Sequence, residues 1–158
     1  MAALDPNNPQ DEAKLAQALQ RWADGKATLK DVRGYTDEEL YSIARSAYLF
    51  YYQGRINEAR TLFQGLYAVS PTDAYFAKAL GVVELAAGNA QGALAAYDVA
   101  LKLAPNDAQA LVGRAEVKLS MGQKTQALED LRRAAAAVPA EDAMGRKASA
   151  MLSSLNRR

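Results

Sequence analysis

The chain has 158 residues, half of them hydrophobic, and a net charge of +1 from 19 Lys and Arg against 18 Asp and Glu. This length corresponds to one ordinary domain, and the balanced charge provides no basic footprint for nucleic acid or anionic lipid. The absence of cysteine and histidine excludes thiol nucleophiles, disulfides and imidazole bases and argues against a transition-metal enzyme.

The N-terminal extension, residues 1–34, begins MAALDPNNPQDEAK. It shows no basic region followed by an apolar one, so we expect no secretory signal. The longest apolar run, AYLFYY at 47–52, is too short to span a bilayer. These features predict a cytoplasmic protein.

Within the extension, residues 11–24 place Leu15, Leu19 and Trp22 on one stripe and predict an amphipathic helix. Residues 25–36 predict a short turn around LKDV.

Three residue types recur at a step of 34 residues. They are Pro71, Pro105 and Pro139; Gly54, Gly88 and Gly122; and Ala59, Ala93 and Ala127. The pattern predicts three copies at 40–73, 74–107 and 108–141, each with two helices, a glycine between them and a proline after the second. Thr36 and Glu39 have the spacing of a capping box at the first helix. Apolar residues at 144, 148, 151, 152 and 155 predict a last helix within 142–158 that caps the array.

This organisation resembles the tetratricopeptide repeat, in register over residues 40–141. The small residue of the first helix is Ala47, Gly81 or Ala115, and the large residue of the second helix is Phe63, Tyr97 or Leu131. We expect the small residue to let the two helices of a hairpin approach and the large one to fill the gap to the next repeat. The resemblance implies an all-α, right-handed α-solenoid of three helical hairpins in a domain over residues 35–141, with an N-terminal helical region and a C-terminal capping helix.

By the same resemblance, the first helix of each repeat lines a concave peptide-binding groove. Its candidate residues are Tyr41, Ala44, Tyr48, Tyr51 and Tyr52 in the first repeat, Tyr75, Lys78, Val82 and Leu85 in the second, and Val112, Glu116 and Leu119 in the third. We expect Ile43, Ala47 and Phe50 to face the other way and close the first hairpin. The groove lacks the Lys, Asn and Arg clamp with which related co-chaperones hold a terminal carboxylate. It suits an extended apolar peptide instead.

An alternative for the three tyrosines at 48, 51 and 52 is that the N-terminal helix folds back over them. Exposed tyrosines are otherwise suited to binding, because each combines a large apolar area with a hydroxyl group and loses little rotamer entropy. The choice between a covered and an open tyrosine face remains open at this point.

A narrower resemblance is to the small chaperones of type III secretion systems that escort hydrophobic translocator proteins. The matching residues are Gly25 to Leu29, Tyr48 with Tyr51, Phe63 to Leu66, Tyr75 with Phe76, and Ala115 with Glu116. The third repeat departs from that family, because it begins DAQALVGRAE rather than with an aromatic and proline-containing segment. The resemblance implies a chaperone that holds an extended apolar segment of a translocator before secretion. The alternative is a generic scaffold or adaptor in another bacterial assembly.

Acidic clusters have a structural explanation in this sequence. Residues 37–39 lie at a predicted helix start, where the helix dipole favours negative charge. We expect Glu129, Asp130, Arg132 and Arg133 to form a solvated helix face with weak ion pairs. No Gly-rich phosphate loop is present. We therefore predict no enzyme, no cofactor, no nucleic-acid partner and no membrane insertion, with a protein partner and a possible homodimer through the N-terminal helix.

Overall fold

The computed structural model describes residues 8–157, and the regular secondary structure in this range is entirely α-helical. The helices are α1 (Pro9–Ala23), α2 (Leu29–Arg33), α3 (Asp37–Tyr52), α4 (Ile56–Val69), α5 (Ala74–Ala86), α6 (Ala90–Leu103), α7 (Ala108–Ser120), α8 (Lys124–Ala137) and α9 (Ala143–Asn156). The predicted all-α fold class is confirmed. The chain divides into two compact units, one ending at Pro71 and the other beginning at Thr72. We call them unit 1 and unit 2.

Local capping chemistry defines where the helices of unit 1 begin. Thr36 and Glu39 form the predicted capping box: the Thr36 side chain accepts from the Glu39 amide, and Glu39 accepts from the Thr36 amide at 2.8 Å. The Glu39 carboxylate also accepts from the Thr36 hydroxyl at 3.0 Å. The bonds that it accepts from the Thr36 amide, first, and from the hydroxyl, second, hold the pKa of Glu39 below its usual range. Thr28 and Asp31 make the same box and start α2, a five-residue helix where the sequence predicted only a turn.

The core of unit 1 lies between α3 and α4. Leu40, Ala44 and Ala47 follow one another at helical spacing on α3 and are buried. On α4, Ala59 and Phe63 are fully buried, and the two helices pack on each other. Small side chains on α3 let the two helices approach, and Phe63 fills the space between them. Helix α1 packs against α2 and has no buried residue of its own.

Unit 2 contains two further hairpins and α9. Helix α5 packs on α6, α7 on α8, and α9 on both α7 and α8. The Tyr97 ring lies against Gly81 and Gly113, where the nearest Tyr97 atoms would be 2.8 Å and 2.4 Å from an added Cβ. The predicted pairing of a small residue at 81 with a large one at 97 is therefore present. The turns after α5 and α7 each end in a glycine with φ near 75°, which explains the recurrence of Gly88 and Gly122.

A buried charge cluster joins α7 and α8, and here the sequence-based expectation was wrong for Asp130, whereas Glu129, Arg132 and Arg133 are exposed as expected. The Asp130 side chain is only 2% exposed, and it accepts hydrogen bonds from Arg114 at 2.6 and 2.8 Å and from Lys118 at 2.7 Å. Arg114 also donates to Asp98 of α6 at 2.8 Å. Burial alone raises the pKa of Asp130, but the bonds from Arg114 and Lys118 outweigh it and hold the pKa below its usual range. Asp130 is thus an internal counter-ion rather than part of a solvated face.

Candidate peptide-binding groove

Three tyrosines of α3 form a continuous aromatic cluster in unit 1, which we call the tyrosine face: Tyr48, Tyr51 and Tyr52. Tyr51 and Tyr52 have ring centroids 5.4 Å apart, and Tyr48 lies 6.5 Å from Tyr51 and 6.3 Å from Tyr52. The spacing i, i+3, i+4 places the rings on one side of the helix. Tyr52 is 79% exposed, while Tyr48 and Tyr51 are half-buried. The tyrosine face therefore presents aromatic area to solvent.

Tyr48 also belongs to the core of unit 1. Its ring meets the fully buried Phe63 edge-on, with centroids 4.9 Å apart. A change at Tyr48 would therefore affect both the fold and the surface. Tyr51 and Tyr52 carry the more independent part of the tyrosine face.

Helix α1 does not cover the exposed ring of Tyr52. Within the described residues it packs against α2, and its own Leu19 and Trp22 are 44% and 48% exposed. Together with the 79% exposure of Tyr52, this answers the question that the sequence left open. Unit 1 thus carries two separate apolar features on its surface, the α1 stripe and the tyrosine face.

Several residues of α3 lie elsewhere than the sequence predicted. Ala44, a predicted groove position, is fully buried against α4, so it supplies no binding surface. Ile43 and Phe50 were expected in the hairpin core, but Ile43 is 41% exposed and Phe50 is half-buried beneath the Arg55 guanidinium, 4.2 Å from its ring centroid. The reason is that the core-facing side of α3 is centred on the buried residues Leu40, Ala44 and Ala47, so that Ile43 and Phe50 lie to one side of it.

Unit 2 carries the predicted groove positions of α5 and α7. Val82, Leu85 and Leu119 are half-exposed apolar side chains. The Tyr75 ring packs against Phe76 with centroids 5.6 Å apart. Val112 is 1% exposed because α7 is packed by neighbouring helices on several sides, so this predicted groove residue is a core residue instead.

Both charged groove positions of unit 2 are neutralised within the unit. Lys78 on α5 donates to Asp107 at 2.7 Å, and Asp107 is also the N-cap of α7. Glu116 on α7 pairs with Lys147 on α9 at 2.6 Å. Because each charge has its partner, these positions offer no isolated cation to a terminal carboxylate. The surface of unit 2 at these positions favours apolar contacts.

One surface feature of unit 1 was not predicted. An apolar depression of about 250 Å³ lies between α3 and α4, with Tyr35 at its edge. Its walls are Leu40, Ile43, Leu62, Leu66 and Val69. The outward position of Ile43 creates it, and the 34-residue register had assigned Ile43 to the core.

Other chemistry finds little support in the described part of the chain. No group of three or more His, Cys, Asp or Glu side chains within residues 8–157 could hold a metal ion. Over the same range, no helix has the length and apolar character needed to cross a membrane.

Comparison with known proteins first defines the class of repeat. The tetratricopeptide repeat family model matches residues 44–108. The solved structure of the type III secretion translocator chaperone SycD of Yersinia enterocolitica superposes with a TM-score of 0.75 at 21% identity, covering 81% of this chain and 98% of SycD. The tetratricopeptide repeat model thus accounts for residues 44–108, and the likeness to SycD shows a similar fold.

Two further comparisons narrow the resemblance. The chaperone protein SicA of Salmonella dublin is 29% identical over 124 residues, which are 78% of this chain and 75% of SicA. The structure of PcrH from Pseudomonas aeruginosa in complex with the chaperone binding region of PopD has a TM-score of 0.73 at 27% identity, covering 80% of this chain and 97% of PcrH. Among tetratricopeptide-repeat proteins, the chain resembles the translocator chaperones of type III secretion systems.

Proposed function

We propose that this chain is a cytosolic chaperone that holds an extended, apolar segment of a hydrophobic type III secretion translocator and keeps it soluble before secretion. The observation that carries the proposal is the open tyrosine face of α3, with Tyr52 79% exposed. Two similar proteins, SycD and PcrH, have structures in complex with a YopD peptide and with a PopD segment. A binding role, without catalysis, fits these relatives better than a generic scaffold role.

The tyrosine face has suitable chemistry for such a segment. Rings in edge-to-face contact expose both apolar area and hydroxyl groups, which suits a peptide with apolar side chains and an unpaired backbone. Tyr41 lies seven residues, about two helical turns, before Tyr48 and is half-exposed. The half-exposed apolar side chains of unit 2 at 82, 85 and 119 are proposed contacts for the same class of segment.

The magnitude of the Tyr52 contribution follows from its exposure. A tyrosine that buries about 200 Å² when fully covered still has about 160 Å² available at 79% exposure. At about 25 cal/mol per Å², full burial would contribute about 4 kcal/mol. Incomplete covering and the ordering of side chains reduce this to about 2 kcal/mol. The affinity for cargo should therefore fall about 30-fold in Tyr52→Ala.

The test is co-expression with a candidate translocator, followed by calorimetry with the translocator segment that co-purifies. Tyr52→Ala and Tyr51→Ala should weaken binding with little change in thermal stability. Leu49→Ala is the matched control, since Leu49 is 57% exposed on the same helix but lies outside the ring cluster. If the Tyr52→Ala variant binds cargo as tightly as the Leu49→Ala variant, the tyrosine face is not the binding site.

We also propose that α1 mediates homodimer formation. Its apolar stripe consists of Leu15, Leu19 and Trp22, and no residue of the helix is buried within its own chain. A second copy would supply the missing cover for these side chains. Sedimentation of the full chain over a range of concentrations tests this directly.

A further inference from the structure

Unit 2 has an apolar pocket that lies partly on α9, the helix predicted only to cap the array. The pocket has a volume of about 330 Å³ and is lined by Leu119 of α7 and by Ala150, Met151, Ser154 and Leu155 of α9. We call it the α9 pocket. Leu119 is a predicted groove position, so the pocket is continuous with the groove-facing side of α7.

The 34-residue register extends into α9 and explains why a pocket forms there. Ala150 and Ser154 follow Glu116 and Ser120 by one repeat length. At both positions α9 has a small, exposed side chain. The space beside Leu119 is therefore left open, while Met151 and Leu155 supply flexible apolar walls.

Two arginines of the α9 segment, one before and one after the lining residues Ala150 and Ser154 in sequence, indicate the chemistry of the occupant. Arg146, Ala150, Ser154 and Arg157 are spaced i, i+4, i+8 and i+11, which places them on one face of the helix. α9 itself contains no acidic residue. An occupant with acidic groups on both sides of an apolar side chain would therefore complement this face.

The two arginines set the spacing of those acidic groups. Their Cα atoms are about 16 Å apart along α9 at 1.5 Å per residue. An extended segment rises about 3.3 Å per residue and points alternate side chains the same way, so positions i, i+2 and i+4 span about 13 Å on one side. Arginine side chains readily bridge the remaining distance. The Arg146 guanidinium donates to the Glu141 carbonyl in an exposed hydrogen bond, so pairing with a peptide carboxylate would replace that bond.

We propose that the α9 pocket binds one apolar side chain of an extended peptide segment that has acidic residues two positions before and two positions after it. The proposal rests on the proposed function, because it makes α9 a working part of the cargo-binding surface. Under this proposal α9 selects cargo by sequence, in addition to covering the last hairpin.

The first experiment uses the full chain with methyl-labelled methionine and two synthetic peptides. One peptide has the central pattern Asp-Ser-Leu-Ser-Glu, and the other has lysine in place of both acids. The first peptide should shift the methyl resonance of Met151, and the second should bind about tenfold more weakly, with a smaller difference at raised salt. An unshifted Met151 resonance, or equal binding of the two peptides, would overturn the proposal.

Variants distinguish specific binding in the α9 pocket from nonspecific hydrophobic binding. Ala150→Leu fills the pocket from an exposed position and should weaken binding of the acidic peptide about tenfold. Ala95→Leu is the matched control, because Ala95 is also an exposed helical alanine of unit 2 but lies on α6. If both variants behave like wild type, or if Ala150→Leu changes only the oligomeric mass, the pocket is not a peptide site.

The same variants distinguish this inference from the proposed function. Normal retention of a translocator by Ala150→Leu, with loss in Tyr52→Ala, would overturn the α9 pocket and support the chaperone role. If the full chain binds the acidic peptide at the α9 pocket but retains no translocator on co-expression, the result supports the pocket and overturns the chaperone role.

Discussion

Replacing Asp130 with asparagine tests the internal counter-ion of unit 2. Asp130 is 2% exposed and receives hydrogen bonds from Arg114 and Lys118, which are themselves only 15% and 12% exposed. Asp130→Asn leaves two largely buried cations with one remaining counter-charge, Asp98, which is paired with Arg114 at 2.8 Å. Removing one partner of a buried ion pair costs about 3 to 5 kcal/mol, and the residual exposure and the remaining amide oxygen favour the lower end. We expect a loss of about 3 kcal/mol.

Thermal and urea unfolding followed by circular dichroism measure this loss. For a chain of this size, about 3 kcal/mol lowers Tm by about 9 °C. The control is Asp24→Asn, whose ion pair with Lys26 at 3.5 Å is exposed and should be worth less than about 0.5 kcal/mol. A loss below about 1 kcal/mol in Asp130→Asn would refute the counter-ion role.

The pH dependence of unfolding, compared between wild type and Asp130→Asn, provides a second measurement on the buried charge cluster. The pKa of Asp130 in the folded protein lies below its usual, unfolded value. The stability that this carboxylate contributes is therefore present above the unfolded pKa and is lost as pH falls through the folded pKa. The difference in unfolding free energy between wild type and Asp130→Asn should be constant near neutral pH and shrink below about pH 4. A difference that grows on acidification would contradict this assignment.

Three further outcomes are expected from single substitutions. Gly113→Ala places a methyl group within 2.5 Å of the Tyr97 hydroxyl oxygen and should cost about 1 to 3 kcal/mol, whereas Gly65→Ala meets no atom within 4 Å and should be neutral or stabilising in urea unfolding. Thr36→Ala removes the capping box of α3 and should cost about 1 kcal/mol by the same assay. Trp22→Ser, at a 48% exposed site, should reduce self-association in sedimentation without lowering Tm; unchanged association would exclude α1 as the dimer surface.

The helices and their limits were largely predictable because their signals are local. Gly54, Gly88 and Gly122 have φ of 75° to 76°, a backbone conformation that favours glycine, so their 34-residue step marks the turns between helices. The Thr36 capping box was predictable for the same reason, because its two residues, Thr36 and Glu39, are three positions apart in the sequence. The sequence predicted only a turn at α2, because the helix has five residues and its signal is the single pair Thr28 and Asp31.

The pairing of small and large residues was also predictable, since it repeats with the register. Gly81 and Tyr97 were expected to meet, and the Tyr97 ring does lie against Gly81. The same register implied that the large residue also fills the gap to the next repeat, and the Tyr97 ring does lie against Gly113 of the following helix. The partner residue at that contact depends on how successive hairpins of unit 2 pack, which no local pattern encodes.

What only the tertiary structure decided is the orientation of each helix about its own axis. A 34-residue register names the groove-facing side of α3, but Ala44 is buried and Ile43 is exposed, because the small residues of α3 turn toward α4. Asp130 looked like one charge on a polar helix surface, yet packing of α7 on α8 encloses it and makes Arg114 and Lys118 its partners. The sequence by itself determined the repeats, the turns and the aromatic character of the first hairpin, since these follow from neighbouring residues. The burial of one charge and the exposure of Tyr52 depend on contacts between distant segments, and only the folded chain brings those segments together.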